Sequence, residues 1–213
     1  MKALVLFSLL ATALPGAAAV RAPNWTGKYA PCDHHSDLLQ HGPLNLAVRI
    51  STSNDILAQQ FEKALDFWSE VLDLQWHEVD SDACSMQLVD GTPRLFDWCE
   101  CMSARSQLPD RPAFEGWIAF NPRFKLSKEQ MFLDSVHEIG HVLGLAHNPD
   151  GSSIMFAFGG PGAASLDSAD LDALAVRHTL RPGILASHRK RSVPVKAPVR
   201  VAAHARRRFQ GLF

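Results

Sequence analysis

Apolar residues along the first half of the chain recur at two different periods. Leu57, Phe61, Leu65, Trp68 and Leu72 come every three or four positions. That spacing predicts an amphipathic helix of about 18 residues, with Trp68 on its buried stripe. Ser51-Thr52-Ser53-Asn54 ahead of it supplies helix-start residues. Shorter runs read as strands: Leu44 to Ile50, Gln75 to Val79, Ser85 to Val89, and Gly116 to Phe120, the last ended by Asn121-Pro122. Asp90-Gly91 marks a turn. Residues 20–43 and 90–113 show no period; they read as an irregular N-terminal arm and a turn-rich loop pinned by cysteines.

A second helical pattern begins at Ser127, which can cap it, with Gln130 at the capping-box position and Leu126 and Met131 placed as a hydrophobic staple. Phe132, Val136, Ile139 and Leu143 line its buried face, leaving His137 and His141 at the flank. A third helix, capped by Asp167, is expected to run to about Thr179 with Leu171, Leu174 and Ala175 inward.

The second helix carries the chemistry. His137 and His141 stand at i and i+4, so both imidazoles leave one face and can hold two corners of a zinc tetrahedron. Glu138 lies about 100° round the helix, displaced from the ligand pair and suited to act as a base on an activated water. Gly144 can take a positive φ, stop the helix and let the chain bring His147 back as a third ligand. Three histidines leave one zinc position for water, the layout of a catalytic site rather than a structural one. Met155 follows in Ser153-Ile154-Met155-Phe156.

The run from His137 to His147 reads HExxHxxGxxH, and with the downstream Met155 it resembles the metzincin zinc endopeptidases; the spacing is most similar to the matrixin branch. The resemblance covers residues 44–180. It implies an α+β zincin-like fold: a twisted mixed sheet of about five strands, an active-site helix, a backing helix and a C-terminal helix. It implies one catalytic Zn2+ on His137, His141 and His147, Glu138 as general base, and Met155 on a tight turn beneath the metal. It also assigns Trp117, Ile118, Ala119 and Phe120 to a strand edge on which a protein or peptide substrate would pair. Two residues depart from the family: Asn148 stands where matrixins carry serine, and Phe156 where they carry tyrosine. No equivalent of the matrixin structural-zinc and calcium loops is visible, so calcium has no support.

Charge divides the chain. The formal net charge is −1, but residues 1–180 hold 12 basic and 22 acidic side chains, whereas 181–213 hold 9 basic and none acidic. The latter, with His188-Arg189-Lys190-Arg191 and Arg206-Arg207-Arg208, reads as a disordered basic tail, solvated or processed, with binding to an anionic surface the less favoured alternative and no specific nucleic acid implied. Residues 1–19 read as a secretory signal: Lys2, an apolar run from Ala3 to Leu14, then Ala17-Ala18-Ala19. That run is too short to span a bilayer, and no other stretch qualifies. A secreted monomer is expected. Asn24-Trp25-Thr26 is a glycosylation sequon.

Four cysteines fit an oxidising compartment. Bonding Cys99 to Cys101 would close a very short loop, so each is expected to pair with one of Cys32 and Cys84. Cys32 as a plug on the zinc is the less favoured alternative, because Pro31-Cys32-Asp33-His34 is unlike the matrixin propeptide motif. His34 and His35 read as surface histidines. The glycine-rich Ala157 to Ala164 lacks the strand and the Lys-Ser/Thr of a phosphate loop and reads as a pocket rim. No Gly-x-Ser-x-Gly run supports a serine nucleophile.

Overall fold

The structure, a computed structural model, describes residues 43–80, 85–97, 99, 101–107, 116–158, 165–176, 178–184 and 193–194. Its sheet begins with strand β1 (Leu44–Ser51), whose inward positions Leu46 and Val48 are buried. β1 pairs in parallel with β2 (Leu74–Glu78) on one side, Leu44 opposite Leu74, and with β3 (Met86–Asp90) on the other, Val48 opposite Met86. β3 pairs in parallel with β5 (Trp117–Phe120), and β4 (Ala104–Ser106) runs antiparallel along β5. The order is β2-β1-β3-β5-β4, the five-stranded mixed α+β sheet that the resemblance implied.

Helix α1 (Asp55–Val71) links β1 to β2, as a parallel pair requires. Asn54 caps it, its side chain accepting from the N–H groups of Ile56 and Leu57. Leu57, Phe61, Leu65 and Trp68 are buried along one face, as their spacing predicts. Helix α2 (Lys128–Val142) shares the same core, and the indole of Trp68 donates to the carbonyl of Val136 at 3.2 Å. The capping box forms: Ser127 Oγ accepts from Gln130 N, and Gln130 Oε1 accepts from Ser127 N. One helix is thereby held at both its start and its apolar face. Helix α3 (Ser168–Ala175) follows β6 (Ser165–Leu166), which pairs with β7 (Val193–Pro194).

The structure corrects four expectations about the elements and cysteines, and at the site a fifth about the substrate edge. β4 falls in residues 90–113, expected to be loop; with a short 3-10 turn over Pro93–Phe96 it is three residues long, too few for a period to register. Helix α3 stops at Ala175, because Leu180 is drawn into a bridge with Leu72 and Thr179 accepts from Asp73 N. The tail does not begin at Arg181. Its N–H and guanidinium bond the carbonyls of Ser69, Val71 and Leu72 at the C-terminus of α1, where orphan acceptors attract a cation.

The fourth correction concerns the cysteines. Cys99 and Cys101 are bonded to each other, with Cα atoms 5.2 Å apart, inside the ordinary disulfide range. Two successive turns fold the chain there: Cys99 N donates to Phe96 O, and Met102 N to Cys99 O. The expected partners Cys32 and Cys84 lie outside the described residues, as do the leader, Asn24, His34, His35 and the basic clusters beyond Ile184.

The ends of β3 and β5 meet at Gly91, where an added Cβ would overlap the carbonyl oxygen of Phe120 and press on the Phe96 ring at 3.2 Å. Backbone cannot yield as a flexible side chain can. Gly91→Ala is therefore expected to lower stability by about 1–3 kcal/mol in urea denaturation. An unchanged midpoint would show that the contact is looser than described.

Candidate metal centre

The site is built by the way α2 ends. Gly144 has φ 102°, a conformation that any residue with a Cβ resists. It allows Gly144 N to donate to His141 O at 3.0 Å and Leu145 N to Gly140 O at 2.9 Å. These two bonds form a Schellman close, which satisfies the last carbonyls and reverses the chain. His147 then returns to the helix face that carries His137 and His141.

The three imidazoles converge. One ring nitrogen from each lies within 4.8 Å of the others. Ring centroids are 4.7 Å apart for His137 and His141, 4.7 Å for His141 and His147, and 5.4 Å for His137 and His147. Nδ1 of His137 lies 2.6 Å from the carbonyl of Ile154, and Nδ1 of His141 2.8 Å from that of Leu145. A carbonyl can only accept, so each Nδ1 carries the proton and each Nε2 is left with a lone pair. The two Nε2 atoms stand 3.1 Å apart. Two lone pairs at that distance repel unless something positive lies between them. His141 is held well below the usual imidazole range by burial and by His137, and His147 is lowered by the same two causes. Converging imidazole nitrogens, two of the rings pinned by backbone carbonyls, are the donor set zinc takes. Among the described residues no other histidine, cysteine and carboxylate group is arranged to hold a metal.

Glu138 is buried at 5% exposure. Burial raises its carboxyl above the ordinary value, while His137 and the side chain of Ser106 draw it partly back. Ser106 ends β4, so the carboxylate lies between the active-site helix and the sheet's last strand.

Met155 is fully buried under the helix. A Cβ on Gly140 would come within 2.7 Å of its Sδ and 3.3 Å of Trp68, so Gly140, at a variable position of the motif, is what lets the Met turn approach. Ser153 Oγ accepts from Met155 N, and Met155 O accepts from Asn148 N. The same turn carries the Ile154 carbonyl that pins His137, so it orients a ligand as well as packing beneath it.

The residues that sequence reasoning missed lie behind His147. The Asn148 amide donates to Asp167 Oδ2 and Asp170 Oδ1, both at 2.9 Å, and its oxygen accepts from Asp150 N. Asp170 also accepts from Ser153 Oγ at 2.7 Å and from Asp167 N. One fully buried carboxylate thus ties together the third-histidine loop, the Met turn and the cap of α3. The signal was present as the Asp167-x-x-Asp170 spacing, which marks only a helix start when read alone.

Trp117 to Phe120 require correction. β5 is flanked by β3 and β4, which use its backbone on both sides, so it offers no edge. The edge beside α2 is β4.

A matrixin family model matches residues 44–178. The chain belongs to the matrixin family. Human matrix metalloproteinase-27 is 27% identical over 119 residues, 51% of this chain and 22% of that protein, so the chain spans about a fifth of the relative's length. In this matrixin, Asn148 supplies through its amide the link from the third histidine to α3, whereas serine could not reach two carboxylates with two donated hydrogens. Phe156, half-buried, packs edge-on against the exposed Phe158 with centroids 5.8 Å apart and offers no hydroxyl.

Asp170→Ala removes an acceptor from three donors, two of them buried. It is expected to cost about 3 kcal/mol or more in chemical denaturation and to weaken zinc retention. A loss below about 1 kcal/mol would show that the loop does not depend on this carboxylate.

Proposed function

We propose that the chain is a secreted zinc endopeptidase that hydrolyses internal peptide bonds with Glu138 as general base. The observation that carries this reading is the convergence of three imidazoles beside a buried glutamate. His137, His141 and His147 would hold the ion, and their number leaves a position for solvent or substrate. Zinc, when bound there, supplies Lewis acidity toward the scissile carbonyl and lowers the pKa of water toward about 7.

The remaining steps belong to the chain's own side chains. Glu138 takes the proton from the attacking water and passes it to the leaving amine. Its burial raises its proton affinity, the direction a base working near neutral pH needs. No covalent intermediate is required. An extended peptide would add to β4, whose outer side has no strand partner among the described residues. Phe156 gives no phenolic donor to a developing oxyanion. Secretion rests on the apolar run from Ala3 to Leu14 and agrees with a Cys99–Cys101 disulfide.

The test compares proteolysis of a denatured general substrate by the wild type, by the wild type with a chelator, and by Glu138→Ala. Activity is expected in the untreated wild type alone. Glu138→Ala should retain zinc while kcat/KM falls by about 10²–10⁴. Full activity in that variant would remove the base from the mechanism. His147→Ala should lose most bound zinc by elemental analysis; tightly held, stoichiometric zinc there would contradict its ligand role.

A further inference from the structure

Glu138 stands against one side chain whose own bonding is incomplete. Ser106 is the last residue of β4, and with Ala104 it turns inward, while Arg105 alternates outward over the Trp117 ring at 5.7 Å. Ser106 is 4% exposed, and its Oγ is buried without a completed hydrogen bond to any of the described residues. The polar group within its reach is the carboxyl of Glu138.

The backbone of Ser106 is aimed the same way. Ser103 O accepts from Asn121 N, and Gln107 N donates to Trp117 O, so the odd-numbered residues of this segment bond toward β5. An antiparallel ladder alternates, which turns the N–H of Ser106 to the open side of the strand. Glu138 meets that N–H as well. Amide and hydroxyl of one residue thus converge on the carboxyl of the base.

A buried hydroxyl without a partner costs free energy. Alanine fills an inward position of β4 without that cost, as Ala104 does two residues earlier. Glutamate, for its part, has a broad last torsion, so rotamer preference does not set the plane of its carboxyl group. Hydrogen-bond donors can set it. A base must keep one oxygen turned to the proton it takes, and bonds that hold it so are often long at rest and tighten in the reacting complex.

We propose that Ser106 is a positioning residue for Glu138, its hydroxyl closing onto the carboxylate as the base takes up its working orientation. This rests on the endopeptidase reading above. The N–H of Ser106 tethers the carboxyl to the strand, and the O–H fixes its plane. The hydroxyl acts through Glu138 and makes no bond of its own to the reacting groups.

The test uses the full zinc-loaded chain and one quenched fluorescent peptide, with kcat and KM measured separately. Ser106→Ala is expected to lower kcat about tenfold, as removal of a group that orients an active-site side chain does. KM should stay within about twofold of wild type and bound zinc should be unchanged. The urea midpoint should hold or rise, because the hydroxyl has no completed bond to lose. Ser106→Thr, which keeps a hydroxyl on the same Cβ, should recover most of kcat. Wild-type kcat in Ser106→Ala would overturn the proposal, as would a folded threonine variant no faster than alanine. A fall in kcat matched by lost zinc or a lower urea midpoint would also overturn it, since the serine would then support the fold and not the base. If the methyl of threonine prevents folding, Ser106→Ala decides alone on kcat, zinc and midpoint. Equal turnover by wild type and Ser106→Ala sinks this proposal only; no cleavage by zinc-loaded wild type sinks the endopeptidase reading and this one with it.

Discussion

Everything in this domain follows from holding three imidazoles with one ring nitrogen of each within 4.8 Å of the others. The arrangement is unfavourable without a cation, since His137 and His141 bring their nitrogens to 3.1 Å. The chain imposes it by several independent means. Helical spacing supplies two rings, and the reversal at Gly144 supplies the third. Carbonyls of Leu145 and Ile154 fix the tautomers. Because those carbonyls come from the loop after the helix and from the Met turn, the donor set is assembled only when both have folded against α2.

The remainder of the fold serves that assembly. α2 is anchored along its apolar face by α1 and the sheet, with Trp68 bonded to the carbonyl of Val136 one residue before His137. The Met turn is pressed to the underside of the helix at Gly140, where a side chain would leave no room. Behind His147, Asp170 gathers donors from Asn148, Ser153 and Asp167, so the exposed third ligand stands on a buried polar network. On the open side, Ser103 and Ser106 of the β4 segment meet Asp134 and Glu138 of the helix. Glu138 and two of the three histidines are therefore set by one helix and faced by its nearest edge strand.

Long periodic elements were legible in the sequence. The stripe of α1, the capping box of α2 and the breaking role of Gly144 are local properties, and the structure has them where the spacing predicts. The convergence of the histidines was legible too, because the motif encodes both the helix and its end. What was not legible depends on contacts between distant segments. β4 exists because three residues pair with β5, and that pairing displaced Trp117 to Phe120 from the edge to the interior. α3 ends early because Leu180 bridges Leu72, and Arg181 joins the fold because α1 ends with bare carbonyls nearby. Cys99 and Cys101 pair because two turns fold the chain between them, which spacing alone does not reveal. Asn148, met first as a departure from the family, gains its meaning only beside Asp167 and Asp170.

The most direct measurement is X-ray absorption at the zinc edge on the full chain loaded with one equivalent of zinc. The account predicts three imidazole nitrogens at about 2.0–2.1 Å and one light-atom ligand that does not come from the protein. A sphere closed by four protein ligands, a sulfur at about 2.3 Å, or fewer than three imidazoles would contradict it.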